Sequence, residues 1–126
     1  MLTGIFMKLR RRERVPEIEQ RALENAVREV RDYDARRVLV RAQERVSHST
    51  MLVEGIVCRA RELADGTRQL LAVQVPGDFI DLHGFLLKSL DHDMISMSAV
   101  RVALVPHDNL RGITENHPHL TRLLWF

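Results

Sequence analysis

One cysteine, Cys58, is all the chain of 126 residues contains, so no disulfide can form within it and a reducing compartment suits it. No apolar run approaches the ~20 residues that cross a bilayer. In "MLTGIFMKLRRRE" the apolar residues precede the basic ones, the reverse of a secretory signal. The expected location is therefore the cytoplasm, without a membrane partner. Neither sign of charge dominates: 19 Lys and Arg face 17 Asp and Glu, and a net charge of +2 is too small to argue for nucleic acid by itself. What is present is the mixture of a globular domain, 45% hydrophobic and 29% charged, long enough to fold without metal or disulfide staples.

The first fourteen residues carry Lys8, Arg10, Arg11, Arg12 and Arg14 and read as a basic, solvated tail, with the domain proper running from Val15 to Phe126. From Glu17 to Tyr33 the spacing predicts a helix, with Pro16 at its start and Ile18, Ala22, Ala26, Val27 and Val30 on one stripe. Short β-like runs follow, beginning at Val38 to Gln43. In "EGIVCRARELADGTRQLLAVQV", Asp65-Gly66 predicts a two-residue type I′ hairpin turn. That turn sets Ala60 opposite Leu71, Cys58 opposite Val73 and Ile56 opposite Val75, all on the core face, with Arg59, Arg61 and Gln74 on the polar one. Cys58 is then a packed thiol rather than a nucleophile.

"MISMSAVRVALVP" predicts a second long strand whose apolar phase slips by one residue near Ala99-Val100, the mark of a bulge or sharp coil of the kind found in jelly rolls and barrels. Two helical pieces close the chain, the first capped by His107 or Asp108 and the second opening at Pro118 after Asn116 or His117. The second carries an apolar stripe, Leu120, Leu123 and Leu124, and the sequence stops at Trp125-Phe126 in mid-pattern. An uncapped end on two large apolar residues is expected of a fragment of a longer polypeptide.

The order helix, β-roll, helices, together with D-G-x-R-Q at Asp65 to Gln69, P-G-D-F at Pro76 to Phe79, V-A-x-V-P at Val102 to Pro106 and H-P-x-L at His117 to Leu120, resembles the N-terminal sensory domain of the Crp/Fnr family of bacterial transcription regulators. The resemblance covers about Val15 to Phe126. It implies a mainly β fold, an antiparallel jelly roll of the cyclic-nucleotide-binding type with flanking N- and C-terminal helices. It also implies a chain cut before a dimerisation helix, which Leu120, Leu123, Leu124 and Trp125 would begin, and before a helix-turn-helix domain. The implied partners are a second copy in the full-length protein, DNA through the C-terminal part absent here, and an unknown small-molecule effector.

In cyclic-nucleotide-binding members the loop after the roll carries Gly-Glu for the ribose and, past a short helix, Arg-Ser or Arg-Thr for the cyclic phosphate. Matching both flanks puts Gly77-Asp78 at the Gly-Glu. The arginine should fall near Leu90-Asp91, yet no Lys or Arg occurs between Lys88 and Arg101. Carboxylates in "LDHDM" would repel a phosphate, so cyclic AMP is not the expected ligand. "IDLHGFLLKSL" reads as a short amphipathic helix with Phe79, Leu82, Phe85, Leu86 and Leu90 at helical spacing. The candidate pocket is therefore Gly77, Asp78, Phe79, Leu82, His83, Leu90 and Asp91, a corner retained without its phosphate-holding chemistry.

One cysteine cannot hold the iron–sulfur cluster of some family members. His83, His92 and Asp91 or Asp93 match no closed metal-site spacing, and His117 and His119 flank Pro118 where a cap or solvent role is expected. No metal, cofactor or catalytic residue is assigned, and no nucleophile–base pair argues for an enzyme. The alternative to a regulator is a stand-alone jelly-roll domain that binds a small molecule or a protein partner.

Overall fold

Leu2, Ile5, Phe6 and Leu9 recur at helical spacing, and in the computed structural model they form the buried face of α1 (Thr3–Arg10). The structure describes residues 2–80 and 92–125. A helix thus stands where a solvated tail was expected. Lys8 and Arg10 lie on its exposed side, Arg11, Arg12 and Arg14 follow it and are also exposed, and Leu2, Ile5, Phe6, Leu9 and Val15 pack in one cluster with Leu23.

The second helix, α2 (Glu17–Ala26), starts after Pro16, with Glu17 and Glu19 in its first turn where the helix dipole favours acids. It ends seven residues earlier than expected. Val27 is extended, at φ −72° and ψ 124°, and the following β-rich stretch becomes β1 (Glu29–Tyr33). The stripe changes accordingly: Leu23 and Ala26 are buried, while Ile18 and Val30 face solvent. Pairing to a neighbouring strand outweighs a helical pattern that five residues could also satisfy.

Six further strands are described: β2 (Val38–Val40), β3 (His48–Glu54), β4 (Val57–Glu62), β5 (Arg68–Gln74), β6 (Asp93–Ser96) and β7 (Val100–Pro106). They build two antiparallel sheets, ordered β1-β7-β3 and β2-β6-β4-β5. Two helices follow, α3 (His107–Asn116) and α4 (Pro118–Trp125). The expected mainly β roll with flanking helices is therefore the observed architecture. Pro106, rather than His107 or Asp108, stands at the cap position of α3, and no side chain caps it.

The phase slip in the second long strand has a structural cause. The run divides at Met97 to Ala99, and the chain passes from one sheet to the other, β6 in the four-stranded sheet and β7 in the three-stranded one. Strand β7 is buried on both faces. Val100, Val102 and Leu104 pack between the sheets with Leu52, Val57 and Met94, whereas Ala103 and Val105 pack under the helices with Met51. A strand covered on both sides needs an unbroken apolar run, which is what VALV supplies.

The hairpin differs from expectation by one residue at its tip. Only Gly66 has positive φ, +87°. Its N–H donates to the Leu63 carbonyl at 3.0 Å, and the Leu63 N–H donates to the Thr67 carbonyl at 2.7 Å. This is a three-residue loop, in which Asp65 accepts from the Thr67 amide and hydroxyl. Ala60 consequently faces Leu70, and an irregularity between Arg59 and Ala60 restores the expected Cys58–Val73 pair. Cys58 is buried as expected, but Ile56, Leu71, Val73 and Val75 are exposed, so β5 is not a core strand.

Candidate functional site

Val75 to Asp78 is a type II turn: Pro76 supplies the fixed φ of its second position and Gly77, at φ +97°, the left-handed third. The Asp78 N–H donates to the Val75 carbonyl at 3.0 Å, and the Asp78 carboxylate accepts the Val75 N–H at 3.0 Å. Beyond the turn the chain lies along the free edge of β3. Gly77 N–H donates to the Leu52 carbonyl, Leu52 N–H to Asp78 and Ile80 N–H to Thr50, each at 2.9 Å. Phe79 forms an isolated antiparallel bridge to Met51. These bonds fix the corner to the three-stranded sheet.

Helix α1 leans on this corner. The Lys8 ammonium pairs with the Asp78 carboxylate, whose side chain is only 12% exposed. A Cβ on Gly77 would stand 2.9 Å from the Gly4 carbonyl oxygen. With one oxygen on its own turn and the other on Lys8, Asp78 serves to lock the corner and bind it to α1.

Behind the corner is a cavity of about 370 Å³, open to solvent on one side and bordered by α1 and the residues after it, α4, β4, β5 and the turn. Its apolar wall comprises Ile5, Leu9, Phe79, Ile80, Leu123, Leu124 and Trp125, and its polar groups are Lys8, Arg12, Arg59, Gln74 and Asp78. Arg12 donates to the Leu123 carbonyl at 3.1 Å. Arg59 Nε is buried and, among the described residues, has no hydrogen-bond partner.

The wall contributed by α4 is held from below by a charged cluster. The His119 Nδ1–H donates to the buried Glu19 at 2.5 Å, Nε2 lies 3.3 Å from Glu13, and Arg122 lies 3.6 Å from Glu13. The hydrogen bond to Glu19 raises the His119 pKa above the usual histidine value; burial opposes it, and Glu13 adds a weaker upward effect.

A larger depression of about 540 Å³ lies between β1, the start of β3 and the start of α3. It is rich in arginine, but Arg31 is paired to Glu29 and Arg111 to Asp108 at its rim. Burial, then the nearby Arg31 charge, pushes the His48 pKa down.

Of the expected pocket residues, Gly77, Asp78 and Phe79 come together at the cavity, whereas Leu82, His83, Leu90 and Asp91 lie outside the described residues. Asp93, weighed as a metal ligand, accepts the Ala42 amide at 2.6 Å. Among the described residues no group of three or more His, Cys, Asp or Glu could hold a metal ion. Leu120 and Leu123 are buried in the chain's own core beside Leu2, Phe6 and Leu23, and Leu124 and Trp125 pack against it. These four were expected to begin a dimerisation helix; in this chain Leu120 and Leu123 pack with residues of α1 and α2, and Leu124 and Trp125 stay partly exposed. Sequence reasoning missed Lys8, Arg12 and Arg59. The first two were legible as the polar side of the Leu2, Ile5, Phe6, Leu9 spacing; Arg59 had no local signal.

The sequence model of the cyclic nucleotide-binding domain matches residues 30–117. No curated protein sequence matches the chain. Among solved structures, the N-terminal domain of a transcriptional regulator from Streptomyces coelicolor aligns with TM-score 0.73 at 16% identity, covering 87% of this chain and 77% of that one. The catabolite activator protein of Thermus thermophilus aligns with TM-score 0.78 at 13% identity, covering 87% and 52%. The regulatory domain of Toxoplasma gondii PKA, solved with cAMP, aligns with TM-score 0.73 at 17% identity, covering 87% and 43%. The chain spans about half the length of the last two. At these identities the likeness is one of fold. Among the described residues no helix is long and apolar enough to cross a membrane.

Proposed function

The chain belongs to the cyclic nucleotide-binding domain family, and from that premise we propose that it is the sensory module of a Crp/Fnr-like transcription regulator, acting in the cytoplasm and without catalytic activity of its own. The observation that carries this reading is the position of α4. Leu123, Leu124 and Trp125 line the cavity, so an effector entering it touches the helix that would lead on to dimerisation and DNA-binding segments. A ligand that favours one position of α4 over another shifts the population of the whole regulator.

Homodimerisation in the full-length protein is supported by the uncovered apolar side chains Ile56, Leu71, Val73 and Val75, which make an exposed strip on and beside edge strand β5. DNA contact belongs, in this reading, to a helix-turn-helix beyond Phe126. Cyclic AMP is not the expected effector: the stretch from Ser89 to Val100, where the family's phosphate-holding arginine would fall, carries no Lys or Arg, and the Asp78 carboxylate, at the ribose-holding position, is already engaged by Lys8 and Val75.

Two measurements test this. Calorimetric titration with cyclic AMP and cyclic GMP is expected to give no saturable heat at micromolar concentration; clear micromolar binding would overturn the pocket argument. Sequencing the gene past the Phe126 codon is expected to reveal a heptad-patterned helix and a basic helix-turn-helix. A stop codon there would leave a stand-alone binding or interaction domain.

A further inference from the structure

The charge inside the cavity narrows what the effector is. Strand β4 carries Val57 into the space between the sheets, and Arg59, two residues on and so on the same face, lines the cavity. Its Nε is buried without a hydrogen-bond partner among the described residues. The side chain as a whole is partly exposed, so its charge keeps contact with water, while a buried N–H with no acceptor leaves a donor for a group that enters the cavity.

Among the described lining residues none neutralises Arg59. Asp78 is the one carboxylate among the described lining residues, and it is committed to Lys8 and to the Val75 amide. Three cations, Lys8, Arg12 and Arg59, therefore face one satisfied carboxylate, and Arg12 is turned to the Leu123 carbonyl. Apart from the amide of Gln74 and the turn backbone at Gly77, the rest of the described wall is aliphatic and aromatic. A volume of about 370 Å³ is at the lower end for small-molecule sites.

We propose that the cavity binds a small organic anion, a carboxylate or phosphate on an apolar body, with the guanidinium of Arg59 holding the anionic head and the α1–α4 wall covering the tail. The inference rests on reading the cavity as the sensor site and adds the class of signal. Charge-assisted, planar pairing is what an arginine supplies and a lysine reproduces only in part.

The test uses the whole chain and three probes of equal tail length, octanoate, octyl phosphate and octanol, titrated by calorimetry against the parent, Arg59→Met and Arg59→Lys. At least one of the two acids is expected to bind the parent about 10- to 100-fold more tightly than octanol, and which of them does so assigns the head group. Arg59→Met keeps the length and apolar stem, so it is expected to fold. It should abolish the preference for the acid. Arg59→Lys should retain part of the preference. Equal affinity for octanol and both acids in the parent, an unchanged preference in Arg59→Met, or no binding of any probe would each overturn the proposal. The regulator reading fails separately: Arg59-dependent octanoate binding in a gene that ends at Phe126 keeps the anion site and loses the regulator. Operator binding tuned by a neutral compound alone does the reverse.

Discussion

Replacing Phe6 with alanine asks whether α1 is part of the core. Phe6 is 6% exposed and packs in one cluster with Leu2, Ile5, Leu9, Leu120 and Leu123. Truncating a buried phenylalanine costs about 3–5 kcal/mol through lost transfer energy and the cavity left behind. Release of α1 from the core offers no easier route, since it would expose four buried side chains worth roughly 1.5–3 kcal/mol each. The full core cost should therefore be felt. With a urea slope of about 2 kcal/mol per M for a chain of this size, the unfolding midpoint should fall by roughly 2 M. Met7 is the control: it sits on the same helix but is 60% exposed, and Met7→Ala should stay within about 0.5 kcal/mol of the parent. Equal midpoints for the two variants would refute the packing of α1, and with it the cavity wall that Ile5 and Leu9 provide.

Two further outcomes follow from the same geometry. Gly77→Ala and Gly66→Ala both place a Cβ on left-handed backbone, at φ +97° and +87°, costing about 1–2 kcal/mol each. Only at Gly77 would the new carbon also stand 2.9 Å from the Gly4 oxygen, so Gly77→Ala should melt clearly below Gly66→Ala; equal melting temperatures would deny the α1–turn contact. Because Glu19 raises the folded-state pKa of His119 above its ordinary 6.5, folding favours the protonated ring. That contribution is complete below about pH 6.5 and is lost as pH rises through the raised value. In Glu19→Gln the decline in urea midpoint across that window should flatten, leaving the weaker influence of Glu13; parallel declines in parent and variant would assign the pH dependence elsewhere.

The parts of this protein that could be read from the sequence are those decided by neighbouring residues. Pro76-Gly77 dictates its turn because only proline and glycine meet both backbone angles without cost, and Gly66 does the same for the hairpin. The apolar phase slip at Ala99-Val100 announced the change of sheet, and Pro118 the start of α4, each within a few residues of its cause. The family likeness rested on these same local signatures. What sequence could not decide was which apolar faces find a partner. Leu2, Phe6 and Leu9 are buried only because Leu120 and Leu123, more than a hundred positions away, complete their side of the core. Val73 alternates as a core residue should, yet lies 64% exposed because nothing described packs over β5. Arg59 looked like a solvent-facing residue of a hairpin. Only the arrival of α1, α4 and the Gly77 corner beside β4 makes it part of a cavity wall with its Nε buried, since burial depends on which distant surfaces converge and not on the order of residues along one strand.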